Sequence, residues 1–226
     1  MGIGCVGAGF IMADCHLVAY RAAGLNPVAI TSRSESKARE VAARHEIATV
    51  HPDWHDLVAD EQVEVLDVAV PPDVQLEVVR EAARFGKGNG GHLVGLLAQK
   101  PLGVDLAEAR QMLAAAQRTD CVAMVVPAPM FLEFESTLLE MIVDGFFGDW
   151  LEINSSFLSG GYDEGAPIHW RQRRDLSGNN IMAMGIYYEA IVRWVSRAGN
   201  VVARVPARMR LSVKGRIVVH SDKVDG

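Results

Sequence analysis

The chain is poor in cysteine, poor in basic charge and free of long apolar runs, and each shortage narrows what it can be. Three cysteines, Cys5, Cys15 and Cys121, cannot all pair within one chain and form no disulfide framework. A reducing compartment is the simpler reading. The 22 Lys and Arg against 28 Asp and Glu leave a formal net charge of -6. That argues against a sequence-independent nucleic-acid binder, which needs a basic face to neutralise phosphates. A small local anion site stays compatible with it. No stretch of about 18 consecutive apolar residues occurs, so no transmembrane helix is expected and no membrane partner. The N-terminus lacks the charged start and apolar core of a signal peptide. Gly2-Ile3-Gly4-Cys5-Val6 reads as a strand at once, and the expected location is cytoplasmic.

What is present fits a folded chain. Half of the 226 residues are hydrophobic and 22% are charged. Over the first 125 or so residues, short apolar runs alternate with helical patterns. The runs are Ile3–Val6, Pro27–Thr31, Val65–Val70, His92–Ala98 and Cys121–Val126. The helical patterns lie near Met12–Ala23, Glu35–Arg44, Val74–Phe85 and Leu106–Gln117. Continuous rather than alternating apolar strands suit a parallel sheet covered by helices on both faces. The prediction is an α/β fold: an N-terminal Rossmann-type, doubly wound parallel sheet over 1–126. Asp105 followed by Glu108 resembles a capping box at the start of the last of these helices.

The rhythm changes after residue 127. Phe131–Val143 and Asn180–Arg197 read as helices, and Trp150–Leu158 and Arg204–Lys214 as strands. Ser159–Ser177 reads as a loop. This predicts a partial α+β C-terminal domain over 127–226.

The segment Gly7-Ala8-Gly9-Phe10-Ile11-Met12 follows the first strand and opens the first helix. Gly7 suits the tight turn, and Gly9 lets backbone approach a pyrophosphate. The helix N-terminus then offers free N–H groups and positive dipole to the phosphates. Met12 stands at the third glycine position of that fingerprint. The cofactor choice falls at the end of the second strand, Thr31-Ser32-Arg33-Ser34. An acid there would bind the ribose hydroxyl of NAD, and none is present. Ser32, Arg33 and Lys37 suit a 2′-phosphate, because arginine presents a planar fork of donors. NADP is therefore favoured over NAD. Ser34 also caps the next helix on the same reading, and the two roles are compatible.

Lys100 lies where the fourth strand meets Pro101, at the sheet end where ligands bind in open α/β folds. It reads equally as a substrate-orienting ammonium and as an ordinary strand-end lysine. His51 and His55 have i,i+4 spacing, but Pro52 lies between them and a helix start is the better reading, so no metal site is predicted. His169-Trp170-Arg171, ahead of Arg173-Arg174-Asp175, suits either a pocket-facing or a solvated loop.

Taken together, four stretches resemble the Gfo/Idh/MocA oxidoreductases. They are Gly7–Ile11 with His16, Val68-Ala69-Val70-Pro71-Pro72, Gln99-Lys100-Pro101-Leu102, and Gly178 through Trp194. The resemblance implies an N-terminal Rossmann domain holding NAD or NADP and a C-terminal substrate domain. It implies an oxidoreductase moving a hydride between nicotinamide and a carbinol or carbonyl of a sugar- or polyol-like substrate. By position, Lys100 matches the lysine of the family's E-K-P motif, with Gln99 in place of the glutamate. Pro71 and Pro72 match the turn that packs near the nicotinamide. The family's later D-x-G-x-H appears as Ala183-Met184-Gly185-Ile186-Tyr187, so Tyr187 takes the place of the catalytic histidine, as in the glucose-fructose oxidoreductase branch. The family also implies homo-oligomers and a C-terminal sheet continuing well beyond Gly226. A shortened or fragmentary chain, or a non-catalytic dinucleotide binder, is the alternative; a further branch would use transient oxidation for elimination. The expansion Gly86–His92 reads as a flexible loop.

Overall fold

The computed structural model describes residues 1–126, 133–148, 173, 176, 209–213 and 216–220. The described residues fall into two compact units.

The first unit holds a six-stranded parallel sheet of order β3-β2-β1-β4-β5-β6. Its strands are β1 (Gly2–Val6), β2 (Asn26–Thr31), β3 (Thr49–Val50), β4 (Val65–Val68), β5 (Gly95–Gln99) and β6 (Val122–Val126). Its helices are α1 (Leu17–Ala22), α2 (Glu35–His45), α3 (Trp54–Ala59), α4 (Pro72–Arg84) and α5 (Leu106–Ala116). The chain winds outward in one direction from β1 to β3 and in the other from β4 to β6. The switch point therefore lies between β1 and β4, where such sheets bind ligands.

Strand alternation divides the core into two layers. Leu66, Val68, Leu96 and Ala98 pack with Leu57, Val58, Val78 and Met112 from α3, α4 and α5. Ile3, Cys5 and Ile30 pack on the other face with Met12, Leu17, Val41 and Ala42. Capping follows the sequence. Ser34 accepts from Lys37 N at 3.4 Å, Asp53 from His55 N at 2.7 Å, and Asp105 from Glu108 N at 2.8 Å. The Glu108 carboxylate returns to Val104 N at 2.9 Å, one residue beyond the ordinary box.

The first helix departs from the predicted Met12–Ala23. It opens as a π-helical segment, Ile11–His16, which runs straight into α1. Leu17 N donates to the Met12 carbonyl, five residues back, and so bypasses Ala13. The Ala13 carbonyl instead accepts from Arg44 Nη2 and His45 Nε2, each at 2.8 Å. Side chains of α2 thus satisfy the acceptor that the wider turn releases.

Two further departures concern the loops. β3 and α3 are too short to show a period in sequence. The segment Gly86–His92 is a tied turn rather than a flexible loop. A 3-10 turn spans Lys87–Asn89, Lys87 N donates to the Leu93 carbonyl and Leu93 N to that of Phe85, both at 2.9 Å. The Asn89 amide donates to the Ala83 carbonyl at 2.7 Å. Leu93 is held by the turn through both its N–H and its carbonyl, and the fourth long strand begins at Gly95 and not at His92.

The second unit contains α6 (Glu133–Val143) and an antiparallel pair, β7 (Met209–Val213) with β8 (Arg216–His220). β7 falls within the predicted Arg204–Lys214 strand. The readings at Trp150–Leu158 and Asn180–Arg197 lie outside the described residues.

Candidate functional site

Four strand ends meet at the carboxyl edge of the sheet. Val6 stands beside Thr31 and Val68, and Val68 beside Ala98. The turn Gly7–Ile11 therefore sits between the end of β2 and the end of β4. Gly7 N donates to the Thr31 carbonyl at 2.8 Å, which brings Ser32 and Arg33 to the same edge.

The glycines of the turn have different physical reasons. Gly7 has φ 113°, and a Cβ there would collide with the Ala69 carbonyl. No other residue fits that turn without strain. A Cβ on Gly9 would meet nothing within 4 Å. Its backbone borders open space, the condition a bound pyrophosphate requires. Ala8 faces the core and is buried, Phe10 is 69% exposed, and Ile11 is intermediate. Met12, at the third fingerprint position, is fully buried against the α1–α2 layer.

At the end of β2, Ser32 Oγ accepts from Ser34 N at 3.4 Å. Arg33 and Lys37 are exposed. The nearest acid, Glu35, is taken by Arg39 one turn on. The edge thus presents exposed cations and a hydroxyl, an arrangement fitted to a phosphate.

At the end of β4, Pro71 is the N-cap of α4 and Pro72 its first residue. Pro72 is buried and Pro71 half-buried. Gln75, fully buried on the first turns of α4, ties three segments together. Its Nε2 donates to the Gln99 carbonyl at 2.8 Å and to that of Val70 at 3.3 Å, and its Oε1 accepts from Gly103 N at 3.4 Å. β5 ends at Gln99, and the following Lys100-Pro101 peptide is cis.

Behind the edge lies a polar cluster inside the apolar layer. Asp67 on β4 is fully buried. Its Oδ2 meets His16 Nδ1 and the Tyr20 hydroxyl, each at 2.7 Å, while Oδ1 has no hydrogen-bond partner among the described residues. His16 Nε2 lies 3.2 Å from Gln99 Nε2, and Gln99 Oε1 accepts from Lys100 N at 2.7 Å. Burial, then the Asp67 charge and its hydrogen bond, push the Tyr20 phenol well above the ordinary tyrosine range. Burial and then Asp67 push up the Cys5 thiol in the same way.

Sequence reasoning singled out His16 and Gln99 but missed Asp67, Tyr20 and Gln75. An acid within the apolar run Val65–Val70 was the available signal, since a buried carboxylate requires partners. The two histidines of the second loop do not converge. His51 turns to Asp60 at 3.0 Å and His55 to Asp53. Among the described residues no group of three metal-ligating side chains occurs, and no helix is long and apolar enough to cross a membrane. Tyr187 and the His169–Arg171 segment lie outside the described residues.

A parallel sheet of this order, with a glycine turn at its switch point, defines a dinucleotide-binding Rossmann domain. Residues 1–126 match the oxidoreductase family with an NAD-binding Rossmann fold, Gfo/Idh/MocA, and the chain belongs to that family. A levoglucosan dehydrogenase of Pseudarthrobacter phenanthrenivorans is 26% identical over 192 residues, covering 80% of this chain and 47% of that protein. A trans-1,2-dihydrobenzene-1,2-diol dehydrogenase of Sus scrofa is 25% identical over 160 residues, 71% of this chain and 44% of that protein. An oxidoreductase of Thermotoga maritima shares the fold with a TM-score of 0.71 at 20% identity, over 86% of this chain and 59% of that one. A 3-ketoreductase of Actinomadura kijaniata, solved with TDP-benzene and NADP, superposes with a TM-score of 0.66 at 23% identity, over 81% of this chain and 53% of that one. The chain spans about half the length of the curated relatives it matches.

Proposed function

We propose that the protein is an NADP-preferring oxidoreductase that transfers a hydride between nicotinamide and a carbinol or carbonyl carbon of a small sugar- or polyol-like substrate. The observation that carries this reading is the edge itself. A glycine turn with open space over Gly9 is hydrogen-bonded to a strand end bearing Ser32 and Arg33. The dehydrogenases among its relatives support the reaction class, and the neighbour solved with NADP supports the cofactor.

When bound, the nicotinamide cofactor supplies or accepts the hydride. The backbone of Gly7–Ile11 would hold its pyrophosphate at the helix N-terminus. Ser32, Arg33 and Lys37 would hold the 2′-phosphate, and Pro71, Pro72 and Gln99 would bound the nicotinamide side. Lys100 would orient the substrate oxygen and stabilise the negative charge it gains as its proton leaves. Tyr187 would take that proton in oxidation and return it in reduction. A phenol has an ordinary pKa of about 10, so a cation near it is needed for this role at neutral pH.

The test is a screen of polyols, sugars and anhydrosugars, followed by nicotinamide absorbance with NADP. Turnover lost in Lys100→Ala and in Tyr187→Phe supports the reading. NADP binding with no turnover of any class favours the non-catalytic dinucleotide binder, and unbroken turnover in both variants removes the assigned roles.

A further inference from the structure

The polarity of the buried cluster follows from its one obligatory donor. A backbone N–H can only donate, so Lys100 N fixes Gln99 Oε1 as its acceptor. The other end of that amide is then an NH2 group, and it faces His16 Nε2 at 3.2 Å. His16 Nε2 must accept, which puts the ring proton on Nδ1. That nitrogen points at Asp67 Oδ2 at 2.7 Å, where the Tyr20 hydroxyl also donates. Every link therefore runs the same way, from the Lys100 amide to a carboxylate fully buried in the sheet.

We propose that Asp67, His16 and Gln99 form a one-directional hydrogen-bond chain that fixes the Lys100 backbone at the sheet edge. His16 is held as its Nδ1–H tautomer, and all three are positioning residues for Lys100. The chain is well placed for this. Asp67 and Gln99 sit on adjacent strands on the same face, and His16 is carried in by the π-helical segment that follows the cofactor turn. The groups facing His16 are Asp67 from β4, Tyr20 from α1 and Gln99 from β5. Cys5 on β1 is paired beside Asp67 and adds no donor to it among the described bonds. The functional part of this inference rests on the Lys100 role proposed above; the hydrogen-bond chain does not.

The test uses the full chain labelled with 15N-histidine, together with amide exchange at Lys100. The wild-type His16 ring is expected to carry its proton on Nδ1, with Nε2 bare. In Gln99→Leu the Lys100 amide should exchange about tenfold faster, as one lost hydrogen bond of about 1.4 kcal/mol requires, while Gly95–Ala98 keep their protection. Gln99→Glu restores an acceptor for Lys100 N, so protection should return. If Gln99→Leu fails to fold, the wild-type ring signature and the Gln99→Glu comparison still decide. An Nε2–H tautomer in the wild type, or a Lys100 amide whose exchange is the same in Gln99→Leu as in the wild type, overturns the chain. With a substrate in hand, kcat should fall in Gln99→Leu and recover in Gln99→Glu; unchanged kcat overturns the positioning role. Intact signatures in a protein without turnover sink the Lys100 reading alone.

Discussion

The two glycines of the Gly7–Ile11 turn should fail in opposite ways when each is replaced by alanine. At Gly7 the backbone has φ 113°, and the added methyl collides with the Ala69 carbonyl. A residue held in that region costs about 1–3 kcal/mol before any clash. The obstacle is a backbone atom of β4's continuation and not the end of a flexible side chain, so relief requires moving the sheet edge. A total of about 3–4 kcal/mol is expected, a large share of the 5–15 kcal/mol that holds typical domains together. At Gly9 the methyl meets nothing within 4 Å. Stability should change by less than about 1 kcal/mol. The methyl would, however, stand in the space assigned to the pyrophosphate, and NADPH affinity should fall by roughly tenfold or more, about 1.4 kcal/mol. Urea unfolding and nicotinamide fluorescence on the same preparations separate the effects. A Gly7→Ala protein as stable as wild type, or a Gly9→Ala protein that loses stability and keeps affinity, would refute the geometry.

Further outcomes follow from single contacts. Arg33→Ala should weaken NADPH by about 1.5–3 kcal/mol, the worth of a charged hydrogen bond, and leave NADH nearly untouched; equal losses for both would remove Arg33 from the phosphate site. Tyr20→Phe leaves the buried Asp67 carboxylate with one donor instead of two and should cost about 1–3 kcal/mol in urea unfolding. Thiol titration with a disulfide reagent should modify exposed Cys15 in the native protein and reach Cys5 only on unfolding, because burial and Asp67 raise the Cys5 thiol and hide it. Asp53 is held below the ordinary carboxylate range by its bond from His55 N and then by the His55 ring. Its capping of α3, about 1 kcal/mol, is present at neutral pH and lost as pH falls through the depressed value. An Asp53→Ala protein should therefore be less stable than wild type at pH 7 and lose less stability on acidification.

The elements that sequence makes legible are those in which local and tertiary preferences agree. β1, β2 and β4 are apolar because both faces are covered over most of their length, while β6 reads as an apolar run although Val122, Ala123 and Met124 are exposed among the described residues; α2, α4 and α5 repeat with the helical period because one face is buried. β3 and α3 are too short to carry a period, and the tied turn at Gly86–His92 depends on Asn89 and Leu93 meeting backbone groups that composition does not reveal. The π-helical opening is hidden as well, since the Arg44 and His45 groups that satisfy its freed carbonyl lie thirty-odd residues away. The glycine turn and the lysine edge were visible as motifs. The Asp67–Tyr20–His16 cluster was not, because its members meet only after β4 is laid beside β1. Gln75 carries no sequence signal beyond its place in a helical run, and only the fold joins its amide to Val70, Gln99 and Gly103.

Dinucleotide binding at the Gly7–Arg33 edge is the property on which every proposed role depends. The most direct measurement is a titration of the full chain with NADPH and then with NADH, following bound nicotinamide fluorescence. Saturable binding with a clear preference for NADPH is the predicted result. Binding of neither cofactor by folded protein, or a preference for NADH that Arg33→Ala leaves unchanged, would contradict it.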